Sequence, residues 1–159
     1  MKFSLAAVSS FVAASIAATL PEAFTLVGEG GNTVLTDGTH AIISHNVTDA
    51  TTYPILVLHS SQSQVTYTRQ GSPPTAWQNL YVIKDGVKPI AMTIPHSGAT
   101  PNGALLSGFG MTDDGYFTFN GKQAFAVDPN AGDRQKIYYL GGDSQYQQAP
   151  LWVKECKGC

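Results

Sequence analysis

Two aromatic residues and a cysteine pair carry the types and spacing most suggestive of chemistry. Trp77 follows the breaker run QGSPPTA, and Tyr146 lies within GGDSQYQQ. Both read as loop residues, where binding groups concentrate. An exposed ring can stack on the apolar face of a sugar while nearby Asn, Gln and Asp hydrogen-bond its hydroxyls. Tyr81, Tyr138, Tyr139 and Trp152 fall in or beside strand-like runs, and Trp152 is expected to be packed. Cys156 and Cys159 are the only two cysteines, in the run ECKGC. A thioredoxin-type pair opens a helix whose N-terminus lowers the first thiol's pKa, and no helix follows here. A zinc site needs more than two thiolates, and no second pair exists. The favoured reading is a short disulfide loop eased by Gly158, with pairing across a dimer as the alternative.

Other constellations give less. Of the four histidines, His40 and His45 are five apart in a strand-like run, an odd spacing that puts them on opposite faces. His59 follows the run ILVL and His96 lies in a loop, so no metal site is expected and no cofactor is implied. No G-x-S-x-G elbow is present. GEGGN offers Gly28, Gly30 and Gly31 but has Thr33 where a dinucleotide fingerprint needs its third glycine, so it reads as a turn. Glycoside hydrolysis needs two facing carboxylates. Asp113 and Asp114 precede Gly115-Tyr116 and read as turn chemistry, and Glu22, Glu29 and Glu155 are scattered. The expectation is a protein that is not an enzyme.

The compartment is the sharper inference. MKFSLAAVSSFVAASIAATLPEAF has a short positive start at Lys2, an apolar run and small residues before a cleavage point. That is the layout of a secretory signal peptide, expected over residues 1–18, with 19–159 forming a single secreted domain. Export favours the disulfide. It would also make the sequon Asn46-Val47-Thr48 usable in a eukaryotic pathway, so Asn46 is a candidate glycosylation site. The net charge is −2 and no run of Lys or Arg appears, which argues against nucleic acid or a membrane surface as a partner.

The elements that must position these residues read as short strands. Asp37-Gly38, Asp85-Gly86 and Asn120-Gly121 each sit between β-prone runs, the pattern of two-residue type I′ hairpins. Other strand candidates are AFTLVG, YPILVLHS, QVTYTR, ALLSGFGM, KIYYLG and APLWVKEC, with breakers between them. No long helical period appears. The expected fold is all-β, a single antiparallel sandwich or barrel. Pro89 marks an edge or bulged strand. A two-residue turn at Asn120-Gly121 would pair Phe119 with Lys122, Phe117 with Ala124 and Tyr116 with Phe125. Phe117 and Phe119 would face one side, Tyr116 and Phe125 the other. A ribbon apolar on both faces suggests a closed structure or a partner, a homodimer among them.

In order along the chain, AFTLVG, QNLYVIKDG and FTFNGKQAFAVDPN resemble fungal phialide-type cell-wall proteins, small secreted proteins of which some are IgE-binding allergens. Members of that family carry more cysteines, and this chain departs from them there. The resemblance implies a β-rich protein, extracellular or cell-wall associated, and brings no catalytic residue. Together with the leader, it makes the first expectation a structural or effector-like protein that binds another protein at the cell wall or host interface. The alternative is a carbohydrate-binding module that recognises wall polysaccharide through Trp77 and Tyr146.

Overall fold

In the computed structural model, residues 18–140 and 145–159 are described, so the expected signal peptide lies almost wholly outside the described residues. The strands are β1 (Ala23–Val27), β2 (Leu35–Thr36), β3 (Ala41–Ser44), β4 (Leu58–Ser61), β5 (Gln64–Thr68), β6 (Trp77–Ile83) and β7 (Ala91–Met92). They continue as β8 (Ala104–Leu105), β9 (Phe109–Met111), β10 (Phe117–Phe119), β11 (Phe125–Val127), β12 (Arg134–Tyr139), β13 (Gln147–Gln148) and β14 (Trp152–Glu155). A 3-10 turn (Glu29–Gly31) and one α-helical turn, α1 (Asp49–Thr52), interrupt them. The larger sheet runs β14-β1-β4-β5-β6-β7, with β8 also on β6. A second sheet runs β13-β11-β12-β3-β2, and β9 and β10 form a separate ribbon. All pairings are antiparallel, and the sheets pack together without closing into a barrel, so the fold is an all-β sandwich.

The alternation of side chains explains the layering. In β1, β5 and β6 every second residue is buried: Phe24 and Leu26, Val65 and Tyr67, Gln78, Leu80 and Val82. A period of two places these on the inner face and leaves the intervening residues toward solvent. The inner residues join Ile43, Phe125, Val127 and Ile137 of the second sheet in one core. Phe109, Phe117 and Phe119 of the ribbon enter the same core. Phe117 stacks between Phe109 at 5.5 Å and Phe125 at 5.3 Å, ring centre to ring centre.

The Asx-Gly pairs behave unequally. Asn120 and Gly121 both take positive φ, 49° and 73°, and Phe119 and Lys122 exchange backbone hydrogen bonds across a two-residue turn. Past that pair the strands part: Phe117 pairs with Met111, Phe125 with Tyr139, and Tyr116 bridges Trp152. Phe125 therefore points inward with Phe117 and Phe119, not to the opposite side. The two-faced apolar pattern that suggested a second copy is accounted for within one chain. Asp37-Gly38 lies in a longer connection, since Thr36 pairs with Ala41. Only Gly38 is left-handed there. Asp37 Oδ1 instead accepts the N–H groups of Thr39 and His40, at 2.8 and 2.7 Å. Burial pushes the Asp37 carboxyl up, but these bonds outweigh it and hold the group below its ordinary pKa. Asp85-Gly86 also lies in a wider loop, because β6 meets β7 at Tyr81 and Ala91. Pro89 stands outside β7, making a single bridge to Tyr138.

The tightest hairpin in the larger sheet carries no glycine. Ser61 pairs with Gln64, and Gln62 and Ser63 take φ of 49° and 66°. The Ser63 carbonyl accepts the N–H groups of Gly108 and Phe109, each at 3.1 Å, which holds the turn against its own backbone preference.

Candidate functional site

Trp77 is the first residue of β6, not a loop residue, and is 52% exposed. The register explains both facts. Trp77 pairs with Thr68 and Asn79 with Thr66, all on the outer side, while Gln78 between them turns inward. Gln78 is buried, and its Nε2 donates to the carbonyls of Gly38 at 3.0 Å and Thr93 at 2.7 Å. The Asn79 N–H donates to Thr93 Oγ1 at 2.9 Å, and the Thr93 N–H returns a bond to the Asn79 carbonyl. The strand under the indole is thus tied down from its inner side. That gives a rigid platform, not a loop that must be ordered on binding.

Beside the indole runs an open groove of about 320 Å³. Thr75, Trp77 and Asn79 line one wall, and Thr93 and the exposed loop from His96 to Thr100 line the other. His96 holds φ at 58°, a left-handed conformation uncommon for a residue other than glycine. The groove therefore presents one large apolar ring with hydroxyl, amide and imidazole groups around it. Such a surface can stack a sugar ring and bind its hydroxyls.

The structure does not bring Tyr146 to this groove. Tyr146 precedes β13 in the second sheet, half-buried with its ring 4.9 Å from that of Tyr138. It lines a separate hollow of about 290 Å³ with Phe125, Leu140 and Gln148. Burial, with the neighbouring Tyr146 and Asp128, pushes the Tyr138 hydroxyl above its ordinary pKa.

Trp152, expected to be packed, is instead 46% exposed. Val153 is the inward residue of β14, so its neighbour Trp152 faces out. Its ring lies edge-on to Tyr116 at 5.1 Å and covers Gly115. A β-carbon at position 115 would sit 3.2 Å from Trp152 Cζ2, and φ there is +93°, so glycine is needed on both counts. Asp113 and Asp114 belong to the exposed turn that ends on Gly115. Asp114 Oδ1 accepts the Thr112 hydroxyl at 2.6 Å, a turn bond of the kind expected from the sequence.

Cys156 and Cys159 are bonded to each other within the chain, with Cα atoms 5.7 Å apart, and Gly158 between them is left-handed. They border a shallow groove with Glu22, His59 and Glu155. Asn46 opens an exposed turn before α1. Its Oδ1 accepts both the N–H and the hydroxyl of Thr48, at 3.0 and 2.8 Å, and Val47 is 89% exposed. Just beyond, Asp49 is buried and receives Nε and Nη2 of Arg134 at 2.8 and 3.2 Å and the Ser44 hydroxyl at 2.7 Å. The Arg134 bonds, with that of Ser44, hold the Asp49 carboxyl below its ordinary pKa.

The histidines stay apart. His40 meets Asp37, His45 meets Asn32 and Gln135, and among the described residues no group of three or more His, Cys, Asp or Glu could hold a metal. Among the described residues, no helix is long and apolar enough to cross a membrane. Compared with protein-family models, curated proteins and solved structures, the chain matches no family model, no curated protein and no solved structure.

Proposed function

We propose that this protein is an exported, non-enzymatic β-sandwich that binds carbohydrate in the Trp77 groove. The observation that carries the reading is an indole left half in water on a strand whose inner side is fixed by hydrogen bonds. Burying the exposed part of this ring against a sugar face removes apolar area from water. The hydroxyl of Thr75 and the amide of Asn79 stand beside it to select orientation. The leader sequence and the resemblance to fungal phialide-type wall proteins favour wall polysaccharide as the source of the sugar. The turn bond that Asp114 accepts from Thr112, with Asp113 beside it in the same exposed turn, favours binding over hydrolysis.

The test is a pelleting assay of the purified protein with insoluble chitin, β-glucan and cellulose. Saturable binding to one polymer is expected, lost in Trp77→Ala and retained in Tyr146→Ala. If wild-type protein stays in the supernatant with all three, the reading fails. The weight then moves to the other partner expected from the sequence, a protein of the wall or host surface.

A further inference from the structure

The outer face of the larger sheet continues well beyond the groove, and its far end carries the second exposed indole. Thr68 pairs with Trp77, and Thr66 pairs with both Asn79 and His59. His59 pairs in turn with Ala23 of β1. Because β5 and β1 run the same way, Thr68 is level with Thr25, which pairs with Lys154 of β14. Trp152 pairs with Val27, one outward position further along. The two indoles therefore lie on one face, at its two sides, separated by the strand steps β6-β5-β4-β1-β14. At about 4.8 Å per step that separation is on the order of 19 Å.

Between them the face mixes hydroxyl and aliphatic side chains. Thr68 and Thr25 offer hydroxyls and Val27 an aliphatic side chain, each half-buried in the sheet surface, while Thr66 and His59 lie one outward position off this line, on the side away from Trp152. Among the paired outward positions there is no carboxylate, and Lys154 is the one fixed charge. An acidic polymer would find little to pair with here, and an apolar partner would bury unsatisfied hydroxyls. A neutral chain of hydroxyl-bearing rings fits both constraints.

We propose that this face is a continuous track for an extended, neutral, unbranched polysaccharide laid across the strands, with Trp152 as its second stacking platform. The proposal rests on the Trp77 groove being a sugar site and adds the class of sugar: a chain long enough to reach from one indole to the other. The backing of Trp152 fits the role. Gly115 lets the ring lie flat against the backbone, and Tyr116 braces it edge-on, which fixes a ring that solvent would otherwise leave mobile. The second contact then forms within an already bound complex, so it raises affinity only for ligands that span the gap.

The test titrates the full chain with a disaccharide and a hexasaccharide of whichever polymer it pellets with. The variants are Trp77→Ala, Trp152→Ala and Thr25→Arg, which sets a bulky charged chain between the indoles without removing either. Wild-type protein is expected to prefer the hexasaccharide by roughly tenfold or more. Trp152→Ala and Thr25→Arg should each lose that preference while keeping disaccharide affinity, and Trp77→Ala should lose both. Retained disaccharide binding also shows that a variant has folded. If both Trp152→Ala and Thr25→Arg bind the hexasaccharide as tightly as wild type, the track is wrong and the groove stands. If wild-type protein binds neither sugar, the groove reading and the track fall together.

Discussion

Phe117 and Trp77 are both aromatic and both sit on strands, yet one is fully buried and the other about half in water. Phe117 lies where three groups of strands meet, touching Phe24 of the larger sheet, Phe109 of its own ribbon and Phe125 of the second sheet. Trp77 touches the groove and solvent. Ring chemistry does not separate them, but parity does. A strand turns alternate residues to opposite faces, and the register decides which face is core. Aromatic content alone therefore does not separate packed rings from exposed ones; outward parity on a paired strand does.

The sharpest way to break that contrast is to truncate one ring of each kind. Phe117→Ala should cost about 3–5 kcal/mol of stability, since it leaves a cavity among three rings. It should lower carbohydrate binding only through the unfolded fraction, which chemical denaturation and binding measured side by side would separate. Trp77→Ala should do the reverse, weakening binding by about 2 kcal/mol with the denaturation midpoint nearly unchanged. A large loss of stability in Trp77→Ala would mean that its indole is a packing residue after all.

Gln78 lies between the two cases, a buried amide that holds an exposed ring. Gln78→Ala should cost about 1–3 kcal/mol by stranding the Gly38 and Thr93 carbonyls, and should also weaken binding. If binding were unaffected, the inner ties would not be what makes the platform rigid.

Asp49 offers a pH test confined to the second sheet. Its folded-state pKa is lowered by Arg134 and Ser44, below an unfolded value of about 3.9. Its contribution is therefore present above about pH 4 and is lost as pH falls through the folded value. Melting temperature followed downward from neutral pH should drop more steeply in wild type than in Asp49→Asn. Parallel curves would show that the clasp does not set acid stability.

The smallest effect is expected at the glycine-free hairpin. Gln62→Asn with Ser63→Gly should raise stability by about 1 kcal/mol, because both positions are left-handed. A loss of stability would show that the native side chains make contacts that outweigh the backbone strain.

That hairpin also marks where sequence reading stops. The all-β class and most strands follow from alternating runs between breakers. The turn at Asn120-Gly121 was legible because both residues favour positive φ. Gln62-Ser63 carries no such signal; its conformation is imposed by Gly108 and Phe109 binding the Ser63 carbonyl, a contact between distant segments. Asp37-Gly38 misled in the other direction, because Asp37 accepts backbone N–H groups and does not itself turn left-handed. For the site, Trp77 stands out in the sequence as a ring after a breaker run, while its support, Gln78 tied to Gly38 and Thr93, depends on pairings no single segment contains. Trp152 reads as packed from its own segment for the same reason. The alternation around Val153 puts it opposite the core, but which parity is inward is set by pairing with β1.

That last pairing has a kinetic consequence. β1 lies between β4 and β14, and it meets β14 along four consecutive residues, from Phe24 with Glu155 to Val27 with Trp152. The larger sheet cannot be completed until residues 152–155 have been synthesised, however early the β4–β5 hairpin forms. Contacts so distant along the chain cost loop-closure entropy before they return any stability, so folding should be slow, in the millisecond-to-second range typical of β-sandwiches. Until then one side of β1 stays unpaired, an open template for strands of other chains. A pathway that delivers the chain unfolded would therefore favour low local concentrations at the moment of release.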